Sequence, residues 1–362
     1  MKFIISGGGT GGHIYPAIAI AEALKRKAPG AEFLFVGAKG RMEMEKIPRA
    51  GYQVEGLWIS GFQRKQFWKN FSLPFKIISS FFKARRIAQR FKPDLAIGVG
   101  GYASAMALRA ASGLGIPTLI HEQNSYAGKT NKILSRAANK ICVAYDGMHR
   151  FFPKEKIVYT GNPIRQDIVE LSHKRMGGFK HYGLDAHLPT LLVIGGSLGA
   201  RTLNESIAKN LVAFEQARIQ VFWQTGKFYI DQYKDLATKH KNVKIAAYID
   251  RMDLAYALAD AVVSRAGALS IAELCLCGMP SILIPSPNVA EDHQTANAMA
   301  LVNQHAAILI KDEEAREKLV ATAINLLESK AHRRKLSQAI RKLGTADAAD
   351  RIADEALQLV HY

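Results

Sequence analysis

The chain opens with Lys2-Phe3-Ile4-Ile5-Ser6-Gly7-Gly8-Gly9-Thr10-Gly11-Gly12-His13, and the reading of these residues decides the fold class. Lys2 to Ile5 is a short apolar run, Gly7 to Gly12 is a loop, and Ile18, Ala21 and Leu24 then recur at helical spacing. A strand that turns through glycines directly into a helix is the opening unit of a doubly wound parallel sheet. Further apolar strand segments follow at 32–36, 95–99, 118–121 and 140–143, with helical segments such as 102–111 between them. Strands alternating with helices predict an α/β domain.

After Gly161-Asn162-Pro163 the pattern restarts. A strand over 190–194 runs into Gly195-Gly196-Ser197-Leu198-Gly199, a helix is expected from Arg201 through Leu211, and strands are expected at 220–224, 243–248, 261–264 and 281–284. The predicted architecture is therefore two Rossmann-like doubly wound parallel-sheet domains facing a cleft, over residues 1–160 and 161–341. The hinge is expected near 158–166, and a C-terminal helix over about 342–362 is expected to pack back on the first domain. A length of 362 residues with 48% hydrophobic content suffices for two such cores.

The formal net charge is +18, and it is unevenly placed: residues 1–160 hold 25 Lys and Arg against 9 Asp and Glu, the remainder 24 against 22. Such an excess suits nucleic acid, an anionic membrane surface or a phosphorylated substrate. Between Gly56 and Pro93 there is no acid at all, but nine cations: Arg64, Lys65, Lys69, Lys76, Lys83, Arg85, Arg86, Arg90 and Lys92. The same stretch carries Phe62, Phe67, Trp68, Phe71, Phe75, Ile78, Phe81 and Phe82, many three or four apart, which predicts an amphipathic helix beginning near Pro74. Apolar residues beside a cationic face fit anionic lipid. The alternative is that the aromatics pack inward and the cations form a solvated face. Only the charge speaks for nucleic acid, since no RNA- or DNA-binding motif is present.

Cys142, Cys275 and Cys277 read as core thiols, because three cysteines without nearby His ligands do not make a zinc site. No basic segment precedes a long apolar one at the start, and no apolar run reaches spanning length. A cytoplasmic protein, at most peripherally attached to a membrane, is expected.

Gly7, Gly9 and Gly12 satisfy the spacing of a dinucleotide loop. A dinucleotide site also requires an acid at the carboxyl end of the second strand, but Glu32 opens that strand and its end reads Gly37-Ala38-Lys39. NAD is therefore not expected. The loop instead offers backbone N–H groups at a helix N-terminus, with Thr10 and His13 beside them, where a sugar, a phosphate or an attacking hydroxyl can approach. The bland alternative is a tight turn capped by His13. Gly195-Gly196-Ser197 begins a second such loop, and Ser264-Arg265-Ala266-Gly267-Ala268-Leu269-Ser270 a third, ahead of the helix carrying Glu273. Two helix N-termini, with a guanidinium such as Arg165, can stabilise a nucleoside diphosphate leaving group without a metal. No Asp-x-Asp pair is present to hold a divalent cation.

Taken together, seven motifs resemble the MurG family of glycosyltransferases. They are Gly7 to His13 with Tyr15-Pro16-Ala17 after it, Gly98 to Ser104, His121-Glu122-Gln123-Asn124, Gly161 to Arg165, Gly195 to Arg201, Ser264 to Ser270, and Asp292-His293-Gln294-Thr295-Ala296-Asn297-Ala298. They fall in the family's order and cover almost the whole chain. The resemblance implies the GT-B fold and an inverting, metal-independent transfer of N-acetylglucosamine from UDP-N-acetylglucosamine to the muramyl C4 hydroxyl of lipid I, forming lipid II in peptidoglycan synthesis. No cofactor is implied. The implied partners are the donor, lipid I, an anionic membrane surface at the cytoplasmic face, and cell-wall synthesis proteins. The alternatives on the same fold are another lipid glycosyltransferase or a nucleotide-sugar epimerase.

Carried over residue by residue, the resemblance implies that the backbone near Ile249 meets the uracil, Glu273 the ribose, and Ser197 with Ala268, Leu269 and Ser270 the diphosphate. Gln294 is implied to bind the transferred sugar, Thr10, Gly11, Gly12 and Asn124 to close over it, and Gly100, Gly101 and Tyr102 to hold the acceptor. The sequence departs from the family pattern at Ala105-Met106, where a proline is often found. Inversion requires a base. His13 is the first candidate because imidazole titrates near neutrality, and Glu122 the second, as base or as the group orienting His13. Phe67, Trp68, Phe71, Phe75, Lys76, Phe82, Lys83, Arg85 and Arg86 are the expected membrane contacts.

Overall fold

A computed structural model describes residues 1–61, 71–164, 168, 171–289 and 292–360. The chain divides into two compact units, Met1–Ile164 with Asp347–Tyr362, and Arg165–Ala346. Arg165, Phe67 and Trp68 lie outside the described residues.

In the first unit seven strands form one sheet: β1 (Lys2–Ser6), β2 (Glu32–Ala38), β3 (Gln53–Leu57), β4 (Leu95–Gly98), β5 (Thr118–Glu122), β6 (Lys140–Val143) and β7 (Ile157–Tyr159). Their order is β3-β2-β1-β4-β5-β6-β7 and every pairing is parallel. β1, β4 and β5 are buried along nearly their whole length, as a sheet covered by helices on both faces requires. Strand order reverses between β1 and β4, so the loops leaving their carboxyl ends, Gly7–Gly12 and Val99–Gly101, open side by side. That is where an open α/β sheet places a ligand.

The second unit repeats the plan with six strands: β8 (Thr190–Ile194), β9 (Gln220–Gln224), β10 (Val243–Ala246), β11 (Ala261–Ser264), β12 (Ser281–Leu283) and β13 (Ile308–Leu309). The order β10-β9-β8-β11-β12-β13 is again all parallel, and it reverses between β8 and β11. The glycine loop after β8 and the Arg265–Gly267 loop after β11 are thereby neighbours.

The last helix, Ala348–Val360, packs on the helix Gly11–Lys27. Ala349, Ile352, Ala353 and Ala356 share one buried cluster with Ile14, Ala17, Ile20, Ala21 and Leu24. Alanines on both faces allow close approach, and Arg26–Asp350 and Lys27–Asp354 ion pairs at 2.8 and 2.7 Å flank the seam. Elsewhere the local reading needs adjustment. The helix expected over 201–211 is two helices, Arg201–Ala208 and Leu211–Gln216, because the chain leaves helical geometry at Asn210 while the apolar spacing continues across the break. β10 ends at Ala246 rather than at Tyr248.

The basic segment does form an amphipathic helix, Leu73–Phe91, with proline in its first turn. Ser80, Ala84, Ile87 and Ala88 face inward. Phe71, Phe75, Ile78 and Phe82 are 76%, 70%, 56% and 59% exposed, so the inward-packing alternative fails for these four. Phe75, Ile78 and Phe82 are spaced as one helix face, and Phe71 lies in the turn just before the helix. Phe81 is partly buried in the core. Of the cations, Lys76 donates to Ser60 at 3.1 Å and Lys83 to the Gly56 carbonyl at 2.8 Å, while Arg85 only approaches the Gly113 carbonyl at 3.5 Å and Arg86 is exposed.

Candidate functional site

In the first unit the glycine loop is fixed from below by a residue that the sequence reading passed over. Glu43, fully buried, accepts from the Gly9 N–H at 3.0 Å and from the Ala38 N–H at 2.9 Å. A Cβ at Gly8 would stand 2.1 Å from its Oε1 and one at Gly37 2.5 Å from its Cγ, so both positions need glycine for this carboxylate to fit. Above it, Thr10 opens the helix Gly11–Lys27, its carbonyl accepting from the His13 and Ile14 amides. Thr10 and Gly12 are exposed and Gly11 half-buried.

His13 is half-buried and stands over the second glycine loop. Gly100 has φ +103° and a Cβ there would lie 2.7 Å from His13 Cε1; Gly101 has φ +88° and its Cβ would meet the Gly8 carbonyl at 2.8 Å. Both loops are therefore packed through their backbones, which only glycine permits. Tyr102, exposed, begins the helix Tyr102–Ser112 immediately beyond.

At the end of β5, His121, Glu122 and Gln123 are all buried. His13 Nδ1 lies 3.2 Å from Gln123 Oε1. Gln123 Nε2 lies 2.9 Å from His121 Nδ1 and donates to the His121 carbonyl at 3.0 Å, and His121 Nε2 lies 3.0 Å from the Gly161 carbonyl. Asn162 donates back to the Gln123 carbonyl. Burial pulls the His13 imidazole below its ordinary value, opposed chiefly by the Glu122 charge, and burial pushes His121 down to about 4. Both rings are neutral at pH 7 on this account.

Both Glu122 oxygens are occupied. Oε1 accepts from the Asn124 amide and side chain at 3.1 and 3.2 Å, and Oε2 from the Gly128 amide and Asn131 at 2.9 and 2.8 Å. Four donors, from Asn124, Gly128 and Asn131 on the helix Lys129–Leu134, fix this carboxylate in place, and it acts on His13 through the field.

In the second unit a cavity of about 580 Å³ is lined by Gly195, Gly196, Gly199, Arg201, Thr202, Gly267, Ser270 and Gln294, among others. Its position follows from the strand reversal. Gly199 and Gly226, at φ +92° and +84°, cross so closely that a Cβ on Gly226 would stand 2.1 Å from the Gly199 amide nitrogen. Ser197 is exposed at the tip of this loop, beside the lining residues. Gly267 precedes the helix Ala268–Cys277, so the N–H groups of its first turn open toward Ser270 and the cavity. Gln294 lies at the start of the helix His293–Val302 and accepts from the Ser286 amide at 2.8 Å. Asn297, wholly buried, donates instead to the Ala266 carbonyl.

Glu273 is half-buried, and Tyr256, almost wholly buried, donates to its Oε2 at 2.9 Å. The Ile249 amide donates to Gln224 Oε1 at 3.0 Å. Arg265, named in the sequence only as part of the third loop, lies at the cavity wall paired with Asp312 at 2.5 Å, and donates to the Ile284 and Pro285 carbonyls; Thr202 holds the other Asp312 oxygen at 2.8 Å. Among the described residues no group of three or more His, Cys, Asp or Glu is arranged to hold a metal ion, and no helix is long and apolar enough to cross a membrane.

The glycosyltransferase family 28 N-terminal domain matches residues 3–143 and the C-terminal domain of the same family residues 190–352. A UDP-N-acetylglucosamine--N-acetylmuramyl-(pentapeptide) pyrophosphoryl-undecaprenol N-acetylglucosamine transferase of Cytophaga hutchinsonii is 54% identical over 360 residues, covering 99% of this chain and 97% of its own. One of the same name from Porphyromonas gingivalis strain W83 is 54% identical over 366 residues, covering 100% and 96%. The crystal structure of Acinetobacter baumannii MurG superposes with a TM-score of 0.78 at 28% identity, over 99% of each chain.

Proposed function

This chain belongs to glycosyltransferase family 28, in its MurG branch, and from that premise we propose how its residues carry out the transfer of N-acetylglucosamine from UDP-N-acetylglucosamine to lipid I, forming lipid II. The observation that carries the activity is identity above one half along the full length to transferases of that name. The switch-point cavity of the second unit is of a size for a nucleotide sugar.

The donor binds in that cavity. Its diphosphate lies against the first turn of the helix Ala268–Cys277, with the amides of Ala268 and Leu269, the Ser270 hydroxyl and Ser197 as donors. Glu273, oriented by Tyr256, accepts from the ribose hydroxyls. The Ile249 amide is already engaged with Gln224, so the Ile249 carbonyl is the group offered to the uracil N–H. Gln294 contacts the transferred sugar. Thr10, Gly11, Gly12 and Asn124 are the first unit's proposed contacts with the sugar, and Arg165 adds charge for the leaving group.

The acceptor diphosphate lies at the Gly100-Gly101-Tyr102 helix start. The muramyl C4 oxygen attacks the anomeric carbon from the face opposite UDP, its proton passes to His13, the glycosidic bond to UDP breaks, and UDP leaves as an anion stabilised by the helix N-terminus. His13 serves as the base because its lowered pKa keeps it neutral at pH 7. Glu122, with four hydrogen bonds already accepted, supports the developing imidazolium electrostatically.

The exposed face of Phe71, Phe75, Ile78 and Phe82, with Arg85 and Arg86 beyond it, docks the first unit on an anionic membrane at the cytoplasmic face, where lipid I is reached. Lys76 and Lys83 lie on the same helix, and Phe67 and Trp68 are proposed as further lipid contacts. The test of the whole reading is incubation with labelled UDP-N-acetylglucosamine and a lipid I analogue. Label is expected in the polyprenyl product with inverted anomeric configuration. Label converted to another nucleotide sugar without acceptor would point to epimerisation and overturn it.

A further inference from the structure

Two carbonyl oxygens beneath His13, those of Gly161 and His121, fix the protons of the His121 and Gln123 side chains, and the Val99 carbonyl is a further acceptor beside the His13 ring. The Gly161 carbonyl can only accept, so His121 Nε2, 3.0 Å away, carries the hydrogen. His121 is buried and neutral, so its Nδ1 is then an acceptor. The His121 carbonyl can also only accept, so the Gln123 amide nitrogen, 3.0 Å from it and 2.9 Å from His121 Nδ1, cannot be exchanged with the amide oxygen. Gln123 Oε1 therefore faces His13 Nδ1 at 3.2 Å, and an amide oxygen only accepts.

We infer that Gln123, locked by His121 and the Gly161 carbonyl, holds the neutral His13 imidazole as its Nδ1–H tautomer and so presents Nε2 as the atom that takes the acceptor proton. Gln123 and His121 are positioning residues in this assignment, acting through His13, and the assignment rests on His13 being the general base. A free imidazole exchanges its proton between both nitrogens, and a ring protonated at the wrong one cannot accept from the acceptor hydroxyl. The same logic gives the orienting carboxylate of a hydrolytic triad its importance, but here a neutral amide does it. The proton affinity of His13 is lowered by burial and raised by Glu122 on β5, by the Gln123 and Val99 hydrogen bonds, and by Glu43 on the helix Glu43–Arg49.

The experiment combines heteronuclear NMR of the His13 ring nitrogens in the full-length protein with pH-dependent kinetics on a soluble lipid I analogue. The wild type is expected to show the Nδ1–H tautomer near neutral pH, and Gln123→Met a mixture of tautomers. In Gln123→Met, kcat should fall about 10- to 100-fold, a part of what a positioned base supplies, with the KM for UDP-N-acetylglucosamine within about twofold. Gln123→Glu keeps an oxygen opposite Nδ1 and, only while its carboxyl is protonated, can still donate to the His121 carbonyl; it should restore the tautomer and part of kcat at the lower pH values tested and lose both as the carboxyl ionises. This second variant separates positioning from a folding defect. An Nε2–H tautomer in the wild type, or an unmixed Nδ1–H tautomer in Gln123→Met, would overturn the assignment. His13→Ala turning over at the wild-type rate would overturn the general-base reading, and with it the catalytic meaning of the tautomer, even with the NMR result as expected.

Discussion

Replacing Phe75 and Phe82 together by Ser tests whether the exposed face of the helix Leu73–Phe91 is a membrane-docking surface. These two side chains are 70% and 59% exposed. At about 200 Å² of side-chain surface each, they present roughly 260 Å² to solvent. Full transfer of that surface out of water is worth about 6 kcal/mol at 25 cal/mol per Å². A helix lying in the headgroup region inserts about half of it, or about 3 kcal/mol, on the order of a hundredfold in the partition coefficient. The substitution removes little core packing, since the inward face is Ser80, Ala84, Ile87 and Ala88. The assay is co-sedimentation with vesicles of an anionic and of a neutral lipid, at low and high salt. The double variant should lose most binding under all conditions, whereas Arg85→Gln with Arg86→Gln should lose only the salt-sensitive part, about 1 kcal/mol per charge. Turnover of a short-chain soluble acceptor should survive in both. Vesicle binding by the Phe75→Ser, Phe82→Ser variant equal to that of the wild type would refute the reasoning.

Glu273→Ala should weaken UDP binding in calorimetry by about 1–3 kcal/mol, and Tyr256→Phe by about 0.5–1.5 kcal/mol through loss of the orienting hydrogen bond; unchanged affinity in the first variant would remove Glu273 from the site. Excess EDTA should leave the rate nearly unchanged, because backbone amides at the helix start near Ala268 take the leaving-group charge; loss of activity restored by Mg²⁺ would refute that. His121 is protonated below about 6.5 in the unfolded chain but only below about 4 in the folded protein. Between these values the unfolded state binds more protons, so stability is full above about pH 6.5 and falls as pH falls toward 4, by on the order of 3 kcal/mol. Thermal melts across that range should display the loss, and His121→Gln should flatten it.

The two switch points were legible because their signal is local: a strand, glycines at fixed offsets and a helix all within one continuous stretch, at Gly7–Gly12 and again at Gly195–Gly199. β3, β7 and β13 were not, since Gln53–Leu57 is interrupted by Glu55 and Gly56, and the other two strands have only three and two residues. Glu43 and Tyr256 went unseen for a different reason. Each acts on a residue far along the chain, Gly9 and Glu273, and no spacing rule links positions that only the sheet order brings together. The stripe of Phe71, Phe75, Ile78 and Phe82 was readable as helical periodicity, but periodicity alone does not tell an inward face from an outward one. That both Glu122 oxygens are occupied was equally invisible, because its donors include Gly128 and, on the short helix Lys129–Leu134, Asn131.

The final helix has a consequence for how the molecule is made. Residues 347–362 are synthesised after the second unit, yet they belong to the unit whose other residues are synthesised before it. Until they emerge, the helix Gly11–Lys27 lacks the cover that Ala349, Ile352, Ala353 and Ala356 give it, and the first unit waits, incomplete, through the whole synthesis of the second. An uncovered apolar helix face over that interval is a surface for chaperones or for misassembly. A chain stopped just after Arg341 would therefore carry its defect at the opposite end of its sequence, in the unit that holds His13.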